Sequence, residues 1–162
     1  MAIIFEGKHV IVVERDGWEF VERKKGKEAV AVIAVTENDE LIFTEQYRRP
    51  VDARVIDWPA GLVGDENDDD APTTARRELE EETGFTCERV EFLASGPTSP
   101  GITSELLSFY RARGVRRNGK GEEDITVHLI RRVEAEDWLR RREGVLIDLK
   151  VWGGLHFVIA ST

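Results

Sequence analysis

Glu78, Glu81 and Glu82 stand in the run Arg77-Glu78-Leu79-Glu80-Glu81-Glu82-Thr83-Gly84-Phe85. On a helix, at about 100° per residue, these three carboxylates fall within a sector of roughly 100°, with Glu80 on the opposite side. Like charges at i, i+3 and i, i+4 destabilise an exposed helix by about 0.2–0.5 kcal/mol per pair, and anions near a helix C-terminus meet the negative end of its dipole. A divalent cation reverses both penalties; Mg²⁺ takes carboxylate oxygens, retained waters and substrate phosphates. A solvated acidic face is the alternative reading of the same residues.

The elements that must position this face can be read from local chemistry. Asp70 can cap a helix, Pro72 suits its first turn, and Gly84 offers a stop, so the spacing predicts a helix over residues 71–83. Ahead of it, residues 9–14 and 18–22 are short β-type runs joined by Asp16-Gly17, a hairpin signal. Residues 29–35 and 41–47 read as a second, central hairpin turning at Asn38-Asp39. Residues 54–58 read as a strand that ends at Pro59-Ala60-Gly61, where the backbone must change direction. Strands follow over 89–94, 105–111 and 125–133, then a helix over 134–143; a last helix after Asp148 is weakened by Gly153-Gly154. Many strands with an early helix describe an α+β class: a mixed sheet flanked by helices, with a small antiparallel N-terminal sheet that would be marginal alone. The expected division is a small N-terminal β region, 1–25, and a main domain, 26–162.

Composition narrows the function. The chain has 162 residues, 32 acidic against 23 basic, and a formal charge of −9. Residues 64–82 hold nine carboxylates and two arginines, net −7, so the acidity is local. An acidic chain must gather its basic charge on one face to bind a polyanion, and Arg116-Arg117 and Arg140-Arg141-Arg142 read better as solvated faces, so no nucleic-acid partner is expected. No segment has the length of a membrane span or the plan of a signal peptide, and a cytoplasmic protein with no membrane partner is the expectation. One cysteine, Cys87, and three histidines cannot build a Cys/His metal centre, so any metal would be a hard cation on oxygen.

Residues 77–85 resemble the second half of the Nudix box, Gly-x5-Glu-x7-Arg-Glu-U-x-Glu-Glu-x-Gly-U with U apolar, and match every fixed position in it. In the first half, the isolated glutamate falls on Asp69 and the glycine on Val63, whereas Gly61 stands two residues too early. A two-residue insertion in the loop 62–68 reconciles both ends.

Other stretches resemble the ADP-ribose pyrophosphatase branch of that family: Glu45-Gln46-Tyr47-Arg48-Arg49-Pro50, Asp57-Trp58-Pro59-Ala60-Gly61, Ser99-Pro100-Gly101 and the late acidic loop Gly121-Glu122-Glu123-Asp124-Ile125. The resemblance implies Mg²⁺, with Mn²⁺ as a substitute, on Glu78, Glu82, Glu81 and the Ala60 carbonyl. It also implies water activation by Glu123 or, second, Glu122, with Glu81 in the catalytic set. Substrate contacts fall on Arg48, Arg49, Pro100, Gly101 and Trp18, the last stacking on adenine unless it serves the core or a dimer interface. The implied reaction is hydrolysis of ADP-ribose to AMP and ribose 5-phosphate. Another nucleotide sugar such as GDP-mannose, or a catalytically silent nucleotide sensor, are the alternatives. Related enzymes are commonly homodimers whose N-terminal sheets cross to the partner, and residues 1–25 suit that arrangement.

Overall fold

The computed structural model describes residues 1–26, 28–65 and 69–159. The strands are β1 (Ala2–Glu6), β2 (Val10–Arg15), β3 (Trp18–Arg23), β4 (Glu28–Ile33), β5 (Glu40–Arg48), β6 (Ala53–Asp57), β7 (Ala60–Leu62), β8 (Phe85–Thr86), β9 (Arg89–Pro97), β10 (Leu106–Arg113), β11 (Arg116–Arg117), β12 (Thr126–Arg131) and β13 (Leu146–Ile147). The helices are α1 (Ala71–Thr83), α2 (Ala135–Arg140) and α3 (Leu149–Ile159). The α+β class is as expected from the sequence.

The sheets differ from that expectation in one instructive way. β4 and β5 do not form a central hairpin; they meet only at a Val35–Leu41 bridge and then part into two four-stranded mixed sheets. One runs β7-β4-β10-β9 and the other β12-β5-β6-β13. The physical reason is burial on both faces. Ala31 and Ile33 of β4, with Leu41 and Phe43 of β5, pack into a core shared with α2 and α3, while Val30, Val32 and Ile42 face the core beneath α1. Strands apolar on both sides are satisfied between layers, and β4 accordingly pairs in parallel with β10.

The chain crosses from one sheet to the other at Pro59–Gly61. β6 ends, the Pro59 carbonyl accepts the Val32 N–H at 2.8 Å, and Ala60 and Gly61 pair with Ala31 and Val30. α3 forms despite Gly153-Gly154 because Gly154 admits the Trp58 ring: a Cβ there would lie 2.8 Å from Cε2 of the indole. The N-terminal sheet, β1-β2-β3, includes a strand not foreseen, β1, and turns at Asp16-Gly17 with φ of 53° and 80°, the geometry expected of that pair. It touches the rest of the chain where Val21 bridges Thr103 and Arg23 pairs with Glu105 at 2.5 Å. The basic clusters are locally spent: Arg140 and Arg141 pair with Glu136 and Asp137 one turn back, and Arg142 lies over Trp138.

Candidate active site

α1 starts where its cap chemistry says it should. The Asp70 side chain accepts the Thr73 N–H at 2.9 Å, and Gly84 closes the helix at φ 71° by donating its N–H to the Glu80 carbonyl. Leu79, fully buried, and Ala75 one turn earlier anchor the helix on the sheet. Docked this way, α1 turns Glu78 and Glu82 toward the Pro59–Gly61 crossing.

Glu82 is 7% exposed and its Oε2 accepts the Ala60 N–H at 3.0 Å. Burial pushes its carboxyl up to about 8; the Ala60 hydrogen bond and the Arg48 charge oppose that rise, and the neighbouring Glu78 and Asp57 add to it. Glu78 lies directly on Gly61: a Cβ at that position would sit 2.6 Å from Glu78 Cγ and overlap its carboxyl group. Glycine allows this close approach, since any Cβ here would displace the Glu78 carboxylate from its place against the strand. Glu81 is exposed at the rim.

Arg77 gathers the acids. Its guanidinium lies 2.7 Å from Glu78, 2.5 Å from Glu81 and, through Nε, 3.6 Å from Asp69. Asp69, which falls on the isolated-glutamate position counted back from Arg77, is thus a counter-ion of that arginine. Among the described residues, no three acidic, histidine or cysteine side chains are drawn into a ready-made cage. Glu78 and Glu82 nevertheless bring carboxylate oxygens to the Ala60–Gly61 backbone, Glu82 at the Ala60 N–H and Glu78 against Gly61. The donor set is all hard oxygen, and a buried acid pushed toward its neutral form gains most from a cation. These residues fit Mg²⁺ or Mn²⁺.

The late acidic loop comes to the end of α1. Asn118 and Gly119 N–H groups donate to the Gly84 carbonyl at 2.8 and 3.0 Å, and the Glu122 N–H donates to the Glu81 carbonyl at 3.0 Å. These bonds satisfy carbonyls that a helix end leaves open. Gly121 permits the approach, since a Cβ there would lie 2.8 Å from the Glu82 carbonyl carbon and overlap its oxygen. Glu122 and Glu123 themselves are exposed.

Arg48 ends β5, exposed, and its charge bears on both Glu82 and Asp57. Arg49 opens the short 3₁₀ turn that follows. Trp18 and Pro100 come together elsewhere, lining a cavity of about 400 Å³ with Arg15, Phe20, Thr103 and Ser104. Trp18 is 63% exposed, so it is not a core residue. Gly101 lies beside this cavity in sequence but is not part of its lining. Asp57 and Lys150, described below, were not singled out as site residues by sequence reasoning.

A family model described as NUDIX domain matches residues 25–152. The chain is 45% identical over 105 residues to the methanol dehydrogenase activator of Bacillus methanolicus, covering 63% of this chain and 56% of that protein. It is 34% identical over 119 residues to the ADP-ribose pyrophosphatase of Bacillus subtilis (strain 168), covering 67% and 61%. Against the ADP-ribose pyrophosphatase of Escherichia coli O157:H7 it is 30% identical over 148 residues, covering 84% and 68%. The matched region thus spans 56% and 61% of the lengths of the two Bacillus relatives. A solved structure described as an ADP compounds hydrolase shares the fold, with a TM-score of 0.68 at 18% identity over 86% of this chain and 80% of that one. With 128 of its 162 residues under the family model and the glutamate-bearing helix set against the Pro-Ala-Gly turn, the chain belongs to the Nudix family.

Proposed function

We propose that the chain is a divalent-cation-dependent pyrophosphohydrolase that cleaves ADP-ribose to AMP and ribose 5-phosphate. The observation that carries this reading is the packing of Glu78 and Glu82 against Gly61 and Ala60. Glu78, Glu82 and the Ala60 carbonyl would hold Mg²⁺, or Mn²⁺ in its place, with Glu81 at the rim. Bound there, the cation supplies charge neutralisation and polarisation of the diphosphate.

The chain's own residues supply the rest. Glu123, with Glu122 as second choice, takes the proton of the attacking water as one P–O bond forms and the other breaks. The hydrogen bonds from residues 118–122 to the end of α1 support that role by keeping the loop beside the glutamates. Arg48, with Arg49 next to it, contacts the phosphates. Trp18 stacks on the adenine, with Pro100 lining the same cavity and Gly101 next to it in sequence.

The reading includes a homodimer built through residues 1–25. Ile3, Ile4 and Phe5 are 52–60% exposed on β1, more apolar surface than a lone three-stranded sheet keeps in water, and light scattering at the monomer mass would remove this part. A cytoplasmic setting is carried with it, supported by the single free thiol, Cys87, which is buried. Among the described residues no helix is long and apolar enough to cross a membrane. A panel of ADP-ribose, GDP-mannose and other nucleoside diphosphate compounds, run with and without Mg²⁺, tests the substrate. Turnover of GDP-mannose in preference to ADP-ribose would replace the base and sugar while keeping the chemistry.

A further inference from the structure

The Pro59–Ala60 turn is held from the other side by a buried ion cluster that the proposed chemistry does not use. Asp57 is 2% exposed, and its Oδ2 lies 2.6 Å from Nζ of Lys150. The same ammonium lies 2.6 Å from Oδ2 of Asp148. Oδ1 of Asp57 accepts the Trp58 N–H at 2.7 Å, and the Trp58 indole N–H donates to the Lys150 carbonyl at 3.1 Å. Asp148 completes the clasp: its Oδ1 accepts the Lys150 N–H at 3.0 Å, and its own N–H donates to the Ile56 carbonyl at 3.0 Å. Asp148 and the first turn of α3 are therefore bonded to every residue from Ile56 to Trp58, immediately before the crossing that carries Ala60.

Burial opposes the Lys150 charge, but Asp57 and Asp148 outweigh it and raise its pKa; burial also raises the Asp57 carboxyl against the pull of Lys150, and the 2.6 Å contacts of the ammonium to both aspartates favour the ion pair. A charged pair in this position is a costly way to dock a helix that already packs Val151, Leu155 and Val158 into the core. What it adds is direction: one ammonium fixes the Asp57 carboxylate, and through it the Trp58 amide, in a single orientation.

We propose that Lys150 is a positioning residue that fixes the Pro59–Ala60 backbone through Asp57 and Trp58, and thereby sets the place where the Ala60 carbonyl and Glu82 meet a divalent cation. The inference rests on the metal reading above.

Mn²⁺ binding to the full chain without substrate, followed by the electron paramagnetic resonance signal of the free ion, tests it for wild type, Lys150→Met, Lys150→Arg and Glu82→Gln. Removing a cation near an acidic site would by simple electrostatics tighten Mn²⁺ binding. A positioning role has the opposite sign: Lys150→Met weakens binding about tenfold or more, and Lys150→Arg recovers most of it. Should Lys150→Met not fold, Asp57→Asn/Lys150→Met compared with Asp57→Asn carries the same test, since Lys150 can still bond to the amide oxygen in the single variant. The double variant then binds Mn²⁺ more weakly than the single one. Equal or tighter binding on loss of Lys150 overturns the proposal while wild-type binding that Glu82→Gln abolishes leaves the metal reading standing. No Mn²⁺ binding by wild type overturns both.

Discussion

Gly61→Ala separates what the site needs for folding from what it needs for chemistry. The added Cβ would stand 2.6 Å from Glu78 Cγ and overlap Cδ and Oε1, whereas ordinary contact begins at 3.4 Å. Cγ must therefore retreat by about 0.8 Å and the carboxylate by more than about 1 Å, a displacement of the size that costs about 10²-fold in turnover when it falls on a reacting group. The thing displaced is the far end of a flexible side chain, so the fold pays little. Gly61 shows no left-handed φ, and alanine also restricts the unfolded chain, worth about 0.4–1 kcal/mol in favour of folding. The expected outcome is a stability within about 1 kcal/mol of wild type by thermal denaturation, a fall in kcat/KM of about 10²-fold, and a raised Mg²⁺ half-saturation. Gly96→Ala, where a Cβ meets nothing within 4 Å, is the control and leaves all three unchanged. A folded Gly61→Ala enzyme turning over within about threefold of wild type would refute the placement of Glu78 at the reacting centre.

Glu82→Gln keeps the Ala60 hydrogen bond within reach and the fold intact while lowering steady-state kcat by at least about 10²-fold, because an amide is a poor cation ligand. The Glu82 carboxyl stands at about 8, above its ordinary 4.5, so the metal-free protein holds that contribution to stability in full below about 4.5 and loses it as pH rises through about 8. Melting temperature against pH should show this fall in EDTA, Mg²⁺ should reduce it, and Glu82→Gln should abolish it. Gly121→Ala places a Cβ 2.8 Å from the Glu82 carbonyl carbon, a backbone clash that must lift the late loop; kcat should fall about tenfold or more with a smaller change in KM, measured by initial rates. Asp70→Ala removes the cap on α1 and should lower the melting temperature with kcat unchanged; Asp70 titrates below its ordinary range because of its bonds to Thr73, so the difference from wild type should shrink as pH falls.

Local chemistry explains which parts of this fold were legible in the sequence. α1 could be bounded from Asp70 and Gly84, because caps are set by side chains within a few residues. The Asp16-Gly17 hairpin follows equally from two residues that accept positive φ. The β4–β5 turn misled for the same reason: Asp39 does adopt φ 61°, yet a turn fixes only the first pair, and beyond it β4 lies between β7 and β10 and β5 between β6 and β12. α3 was weakened on paper by two glycines, of which Gly154 makes room for the ring of Trp58, a contact over distance, while a Cβ at Gly153 would meet nothing within 4 Å. At the site, the helix face and the Pro-Ala-Gly turn could be named from spacing, but not that Gly61 and Glu78 touch, nor that Asp69 pairs with Arg77. The Asp57–Lys150 pair was invisible, since a lysine at the start of a C-terminal helix carries no local sign of a buried partner.

The most direct test of the account is product analysis of ADP-ribose incubated with wild type and Glu82→Gln, each with Mg²⁺ and with EDTA. Wild type with Mg²⁺ should release AMP and ribose 5-phosphate in equal amounts, and the other three incubations should not. Release without metal, undiminished release by Glu82→Gln, or no metal-dependent turnover of ADP-ribose would contradict it.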